Sequence, residues 1–432
     1  MKIKFAHLAD CHLGAWRNEN LNQIGFRAFE KAIDIIIKEK IDFVIISGDL
    51  FDVSNPRVEV IDLSVRELKK LKDNEIPVYG IMGSHDFSPS NKSMVRPLIT
   101  AGLFTDVSQG ETTENGEIKL FFTRESKTKI KITGLRARKR SLEIEDYRIL
   151  NRKSLELEAG IKIFVLHTLM SELKPKEYKD MESAPKSLLP QGFDYYAGGH
   201  LHKTVPERLR NTEDSINIDD KTKIIYPGSL TPTNFRELEQ YQYGGFCIVS
   251  GEIDITSQKS QLCVKFIPLK VKDVVSLSID CNNKSITQVY ELLENKIRNS
   301  DFFDKLVTIR IFGTLSSGKT HQLRPNDIIQ KLKEKGAYEV LTNKAAFISK
   351  EYSPISVVVG KTNEEIENTL IFEHAQKIKI KNLSKKDIEY KIHNLLSVLG
   401  KERGEGTKVK EYAEDLIKNF NHIFQLEDEG EI

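Results

Sequence analysis

Apolar and polar positions in the first eighty residues switch between two periods. Residues 3–9 alternate as a strand does, while 21–39 set Leu21, Ile24, Phe29, Ile33 and Ile36 on one helical face. Residues 42–47 (DFVIIS) are a short apolar run of buried-strand length. Residues 60–72 return to the helical period and 77–82 to an extended one. This β-α-β-α-β rhythm predicts an α/β fold with parallel strands. Right-handed crossovers carry the strand ends to one edge, where open α/β sheets place their sites. Further strands are expected at 129–133, 162–166, 195–197, 223–226 and 246–249.

A second unit is expected from residue 252. Strands at 263–271, 275–279 and 306–312, helices at 287–299 and 326–335, and short strands to 358 describe a small α+β module. From 359 the chain is helical and highly charged. Ser384 is placed to cap a helix with the stripe Ile388, Ile392, Leu395, Leu396 and Leu399. Gly400, Gly404 and Gly406 interrupt it, and a second stripe carries Val409, Tyr412, Leu416, Phe420 and Phe424. The predicted domains are therefore 1–251, 252–358 and 359–432. The two stripes can cover each other or the second module. Docking into a partner's groove is the favoured reading, with Ile388, Ile392, Leu395, Leu399, Leu416 and Phe420 as contacts.

Five polar clusters sit where apolar runs end: Asp10-Cys11-His12, Gly48-Asp49, Gly83-Ser84-His85-Asp86, His167, and Gly199-His200-Leu201-His202. In an extended Asp10-Cys11-His12 the first and third residues face the same way, so both can reach one cation. His200 and His202 repeat that spacing, and Asp49 offers a carboxylate able to bridge two ions. Mixed imidazole and carboxylate donors suit manganese, iron or zinc. Two such ions polarise a phosphoryl group and ionise water near neutral pH. Taken singly, a strand-end His or a Gly-Asp turn is more often structural. Five in succession point to phosphoester hydrolysis. Cys11 would face away from its neighbours in a strand, and His7 reads as core or as a support for the site.

Composition narrows the setting. The chain has 432 residues, enough for two or three domains. Its formal net charge is only +2, so any nucleic-acid surface must be a local patch. Arg136, Arg138, Lys139 and Arg140 form such a patch, with a solvated loop as the alternative. The four cysteines have no CxxC spacing, which favours a reducing compartment. No apolar run is long enough for a membrane span. A cytoplasmic protein is expected.

The series D-x-H, G-D, G-x-H-D, H and G-H-x-H resembles the calcineurin-like metallophosphoesterase superfamily. HLADCHLG, ISGDLFD and the long C-terminal extension are similar to the SbcD/Mre-eleven DNA repair nucleases. The motif resemblance covers about residues 1–250. It implies a sandwich of two mixed sheets flanked by helices, a small α+β capping domain and a helical C-terminal tail. It implies two manganese ions, with iron or zinc as alternatives. One ion would take Asp10, His12, Asp49 and His202, and the other Asp49, Ser84, His167 and His200. His85 would stand beside the phosphate as a catalytic group, with Asp86 orienting it. Ser84 departs from the family, which usually has Asn there, and a serine hydroxyl is a shorter, poorer ligand. Tyr226 and Ser229, on the turn Tyr226-Pro227-Gly228-Ser229, would lie near the DNA backbone, although a simple turn competes. DNA ends, an SbcC/Rad-fifty-type ATPase and a second copy of the chain are the implied partners. A phosphatase or phosphodiesterase acting on small substrates, and an end-binding scaffold of weak catalysis, are the competing functions.

Gly313-Thr314-Leu315-Ser316-Ser317-Gly318-Lys319-Thr320 matches a phosphate-binding P-loop pattern. Pro325 and Asn326-Asp327 instead place the next helix start several residues later, so a turn is expected and no direct ATP binding.

Overall fold

The computed structural model describes all residues except 89–91, 220–221, 255, 350–366, 369, 373–374, 377, 379–382, 401–408 and 425–432. They fall into two compact units, 1–349 and 350–432.

The first unit is built on a seven-stranded sheet. Its order is Ile216–Asn217, Lys259–Leu269, Gly244–Asp254, Lys2–Leu8, Phe43–Ser47, Val78–Ile81, Thr105–Asp106. The last four run parallel, as the β-α-β rhythm requires, and the first three are antiparallel. A second sheet runs Ile224–Ile225, Tyr195–Gly199, Lys162–His167, Lys131–Leu135, Thr123–Arg124.

Period-2 alternation decides which core each residue enters. Phe5, Phe43 and Ile45 face the second sheet and pack with Ile132, Ile163, Val165 and Tyr195. Their neighbours Ala6, Leu8, Val44 and Ile46 face outward, against Phe29, Ile33, Leu63 and Leu68 of two covering helices. A one-residue slip would exchange the two sets. Phe5 stacks on Phe43 at 5.0 Å and meets the edge of Tyr195 at 5.3 Å, which ties the sheets together. Each such buried ring contributes about 2–3 kcal/mol of transfer free energy. The first covering helix, Glu19–Lys38, is capped by Asn18 and ends on Lys38, matching the helix dipole at both ends.

The boundary expected at residue 252 is wrong. Lys259–Leu269 does not open the second module. It pairs along its whole length with Gly244–Asp254 and buries Leu262, Val264 and Phe266 between the two sheets. Its alternating pattern is that of an antiparallel strand with one covered face, and that face belongs to the sandwich.

The α+β module then begins at Val274. Val274–Asp280, Leu306–Leu315, Glu339–Asn343 and Phe347–Ser349 form a parallel sheet. Two helices cover it. Ile286–Arg298 starts with a Ser285/Gln288 capping box, and Pro325–Glu334 with proline in its first turn. The P-loop-like segment begins within Leu306–Leu315, and Gly318 lies in a turn at φ 91°. Only a single 3-10 turn, Thr320–Gln322, follows Lys319, and the α-helix starts at Pro325. The strands expected up to 358 lie partly outside the described residues.

In the second unit, Lys385–Leu399 starts with a Ser384/Asp387 capping box and packs along Val409–Phe424. Lys391 donates to the Ile423 carbonyl and lies over the Phe424 ring at 5.6 Å. Ile388 is buried, and Ile392, Leu395 and Leu416 are half-buried. Leu399 and Phe420 are exposed, as are Tyr390, Leu396 and Ile417. Among the described residues, no helix is long and apolar enough to cross a membrane.

Candidate metal centre

The ends of Lys2–Leu8, Phe43–Ser47, Val78–Ile81, Lys162–His167 and Tyr195–Gly199 bring all five polar clusters to one place. The route differs from the expected one. Neither Asp10-Cys11-His12 nor His200-Leu201-His202 is extended. Asp10, His12, Asp49 and His200 sit at φ 48°, 42°, 50° and 83°, a left-handed region costing side-chain-bearing residues about 1–3 kcal/mol each. The loops hold one another in that state. Asp10 N–H donates to Gly48 O at 3.2 Å and His12 N–H to Asp49 O at 3.0 Å. Both Asp10 oxygens accept the His200 N–H, at 2.9 and 3.0 Å. Cys11 is buried in the apolar core, where burial drives its thiol pKa well up.

The glycines of these motifs are steric requirements. A Cβ on Gly83 would lie 2.2 Å from Asp49 Oδ1, and one on Gly48 would lie 2.3 Å from His167 Nδ1.

Three groups of side chains emerge among the described residues; one, His12, Asp52 and His85, lies at the mouth, and the other two share Asp10. Of those two, Asp10, His12 and His202 form the first, and Asp10, Asp49 and His167 the second. Asp49 Oδ2 links them, 3.7 Å from His12 Nε2 and 3.1 Å from His167 Nε2. In the first group His12 Nδ1 is 3.1 Å from Asp52 Oδ1, and His202 Nδ1 is 2.8 Å from Glu237 Oε1. Carboxylates only accept, so each Nδ1 carries the proton. The two Nε2 atoms then face each other at 3.0 Å, so that without a cation one of them carries a second proton and donates it to the other. A shared cation would take the place of that proton, with both Nε2 lone pairs turned toward it.

The second group repeats the arrangement with a different anchor. His167 Nδ1–H donates to Ser47 O at 2.7 Å. Its Nε2 is fully buried, 3.1 Å from Asp49 Oδ2. The His200 ring stands edge-on to His167 at 5.2 Å, and half-exposed Ser84 lines the same opening of about 400 Å³. The donor set therefore fits two divalent cations.

The charges follow the same geometry. Burial works to raise the Asp49 pKa, but His167, then His12 and His85, carry it well below the carboxylate range. Burial lowers His167, and Asp49 outweighs it, lifting the imidazole to about 10. His202 is lowered by burial and raised further by Glu237 and Asp10, to about 9. Burial, then the His167 charge, pushes His200 down to about 4, leaving a neutral donor.

His85 is exposed at the mouth, its ring edge-on to His12 at 4.8 Å. The expectation that Asp86 orients it is not met. Asp86 turns inward and accepts the N–H groups of Gly83 at 2.9 Å, Phe51 at 3.1 Å and Leu50 at 3.4 Å. Burial and then Asp49 push its pKa to about 7. The Asp52 carbonyl, 2.6 Å from Nδ1, orients His85 instead. Asp52 therefore supports both His12 and His85. It and Glu237 are the residues sequence reasoning missed. Asp52 had a local signal in GDLFD, whereas Glu237 lies 35 residues from His202 and had none. His7 is structural, between Tyr195 Oη and Ser47 Oγ at 2.8 Å each.

Arg136, Arg138, Lys139 and Arg140 are exposed and line a neighbouring cleft of about 900 Å³. Arg138 and Arg140 also border the opening at Ser84, His167 and His200. The DNA contacts expected of Tyr226 and Ser229 are excluded by burial. The Tyr226 hydroxyl donates to Thr168 O at 2.9 Å, and Ser229 N–H donates to His202 O. Both pack behind the His202 loop because the turn folds inward over Gly198 and Thr204.

The family "Calcineurin-like phosphoesterase" matches residues 3–204. The protein "DNA double-strand break repair protein Mre11" of Methanococcus maripaludis is 26% identical over 343 residues, 76% of this chain and 79% of its own. The protein of that name from Sulfolobus acidocaldarius is 27% identical over 303 residues, 69% and 72% of the two chains. Its counterpart in Methanocaldococcus jannaschii is 30% identical over 291 residues, 64% and 71%.

Proposed function

This chain belongs to the Mre11 family of calcineurin-like phosphoesterases, and from that premise we propose a nuclease that processes DNA double-strand-break ends with two manganese ions. It is a metal-dependent phosphodiester hydrolase. The observation that carries the proposal is the opposition of the His12 and His202 Nε2 atoms at 3.0 Å beside an Asp49 carboxylate shared with His167.

In this reading Asp10, His12, Asp49 and His202 would hold one ion, and Asp49, Ser84, His167 and His200 the other. Divalent cations supply charge neutralisation at the phosphoryl oxygens and a water that ionises near neutral pH. The chain's own contribution is arrangement. Asp52 and Glu237 keep each Nδ1 protonated and each Nε2 free. His85, exposed and fixed by the Asp52 carbonyl, delivers a proton to the departing sugar oxygen. Arg138 and Arg140 draw the phosphate backbone to the same opening.

The exposed Leu399 and Phe420 of the C-terminal helix pair support docking of an SbcC/Rad-fifty-type ATPase. A homodimer completes the assembly. The deciding test is cleavage of labelled single- and double-stranded DNA with manganese by wild type and His85→Ala. Cleavage by wild type, abolished in the variant, is expected. Strong end binding with no manganese-stimulated cleavage would favour the scaffold reading, to which the serine at 84 lends support. Turnover of small phosphodiesters alone would favour the phosphatase reading.

A further inference from the structure

The α+β module meets the sandwich directly behind the metal centre. The contact runs through the short helix Phe235–Tyr241. Glu237 on that helix reaches His202 Nδ1 at 2.8 Å. Two residues on, Glu239 is gripped by Arg310 from the module's central strand, through Nε at 2.8 and 3.0 Å and a second nitrogen at 2.7 Å. Residues two apart on a helix point about 200° apart. One carboxylate therefore faces the metal centre and the other the module, with the helix as a spacer.

Three further contacts fix that spacer. Leu238 packs with Leu21 and with Leu306 of the module, the Arg310 guanidinium lies over the Phe235 ring at 5.2 Å, and Trp16 Nε1 donates to Pro232 O at 3.0 Å. Trp16 lies four residues after His12. The junction thus stands behind His202 through Glu237, and Trp16 ties the loop that follows His12 to it.

We propose that Arg310 is a positioning residue for the metal centre. By clamping Glu239 it holds the helix at the height where Glu237 aims His202 Nε2 at His12, so seating of the module sets the affinity of the Asp10–His12–Asp49–His202 ion. The inference rests on the metal-site reading given above. The fork is specific to arginine, since lysine offers a point charge in place of two fixed donors.

The test is manganese binding to the full chain by isothermal titration, with melting temperature recorded beside it. Wild type should bind two equivalents, and failure to do so would remove the metal-site reading itself. Arg310→Ala should weaken one equivalent about tenfold and leave the other within twofold, near the lower end for loss of a ligand's supporting partner. Glu237→Gln should weaken the same equivalent. The exchange Arg310→Glu with Glu239→Arg should recover most of the affinity that Arg310→Ala loses. Should the alanine variant not fold, Arg310→Lys carries the test, with a loss of at least about threefold expected. Two manganese affinities unchanged in Arg310→Ala, or in Arg310→Lys, would overturn the proposal even if the melting temperature fell. So would equal weakening of both equivalents, which indicates general loosening.

Discussion

The two halves of the metal centre are held in different ways. His12 and His202 each give their Nδ1 proton to a carboxylate, Asp52 and Glu237. His167 gives its proton to the Ser47 carbonyl, and among the described residues no carboxylate is paired with the His200 ring. A carboxylate makes the imidazole a stronger donor than a carbonyl does. The first half also rests on the junction with the α+β module, while the second opens toward Ser84 and the basic loop. One half is braced for retention, and the other is left accessible to the phosphate. Asp49 joins them, and its carboxylate is the sharpest point at which to break the scheme.

The largest effect is expected from Asp49→Asn. The change keeps shape but removes the charge between His12 and His167. Both manganese equivalents should be lost in calorimetry, and cleavage should fall to background. Survival of one equivalent at wild-type affinity would mean that the halves do not share this group. Next comes His85→Gln, expected to slow cleavage about 10²–10⁴-fold with both manganese affinities intact. Lost metal binding there would move His85 from the reaction into the ligand set. Asp52→Asn should then weaken the first ion about 10–100-fold. It should spare the second, which a two-site titration resolves.

The centre was legible in outline because strand-end polar clusters follow from the β-α-β period, and five of them cannot all be turn formers. Their conformations were not legible. Asp10 and His12 look like an alternating pair in sequence, yet both adopt positive φ because the loop after Phe43–Ser47 supplies carbonyls at Gly48 and Asp49 to hold them. Asp86 misled for a related reason. Adjacency to His85 suggested contact, but three inward amides outcompete one exposed ring for its oxygens. Glu237 was hidden because a partner 35 residues away is fixed only by tertiary packing. The same limit displaced the domain boundary. An amphipathic strand such as Lys259–Leu269 does not declare which sheet it covers until its hairpin partner is known.

Protons compete with the cation for the first half. The His202 pKa is raised from 6.5 to about 9. In the absence of a cation, the stability of its pairing with Glu237 is fully present below pH 6.5 and is lost as pH rises through about 9. A cation must displace that proton from Nε2. Affinity of the first ion should therefore rise with pH by up to about tenfold per unit below pH 9 and level off near 9. Glu237→Gln removes a carboxylate that raises the pKa, so affinity should level off earlier and at a lower plateau, with the gap to wild type narrowing as pH falls. An unchanged plateau would show that His202 is not the competing group. Calorimetry in buffers of different ionisation enthalpy counts the protons released.

The smallest expected effect lies at Ser84, in the more open half. A serine hydroxyl ends one atom short of an asparagine amide oxygen and is a weaker donor to a divalent ion. Ser84 is half-exposed and faces the same opening as His167 and His200. Ser84→Asn should lower the manganese concentration for half-maximal cleavage by about threefold, under one kcal/mol by the usual conversion. The first ion should not respond, because its braces at Asp52 and Glu237 are untouched. If half-saturation is unchanged, the second ion is already held by Asp49, His167 and His200 without help from this position. If half-saturation rises, the larger side chain obstructs the opening, and serine at 84 is what admits the phosphate.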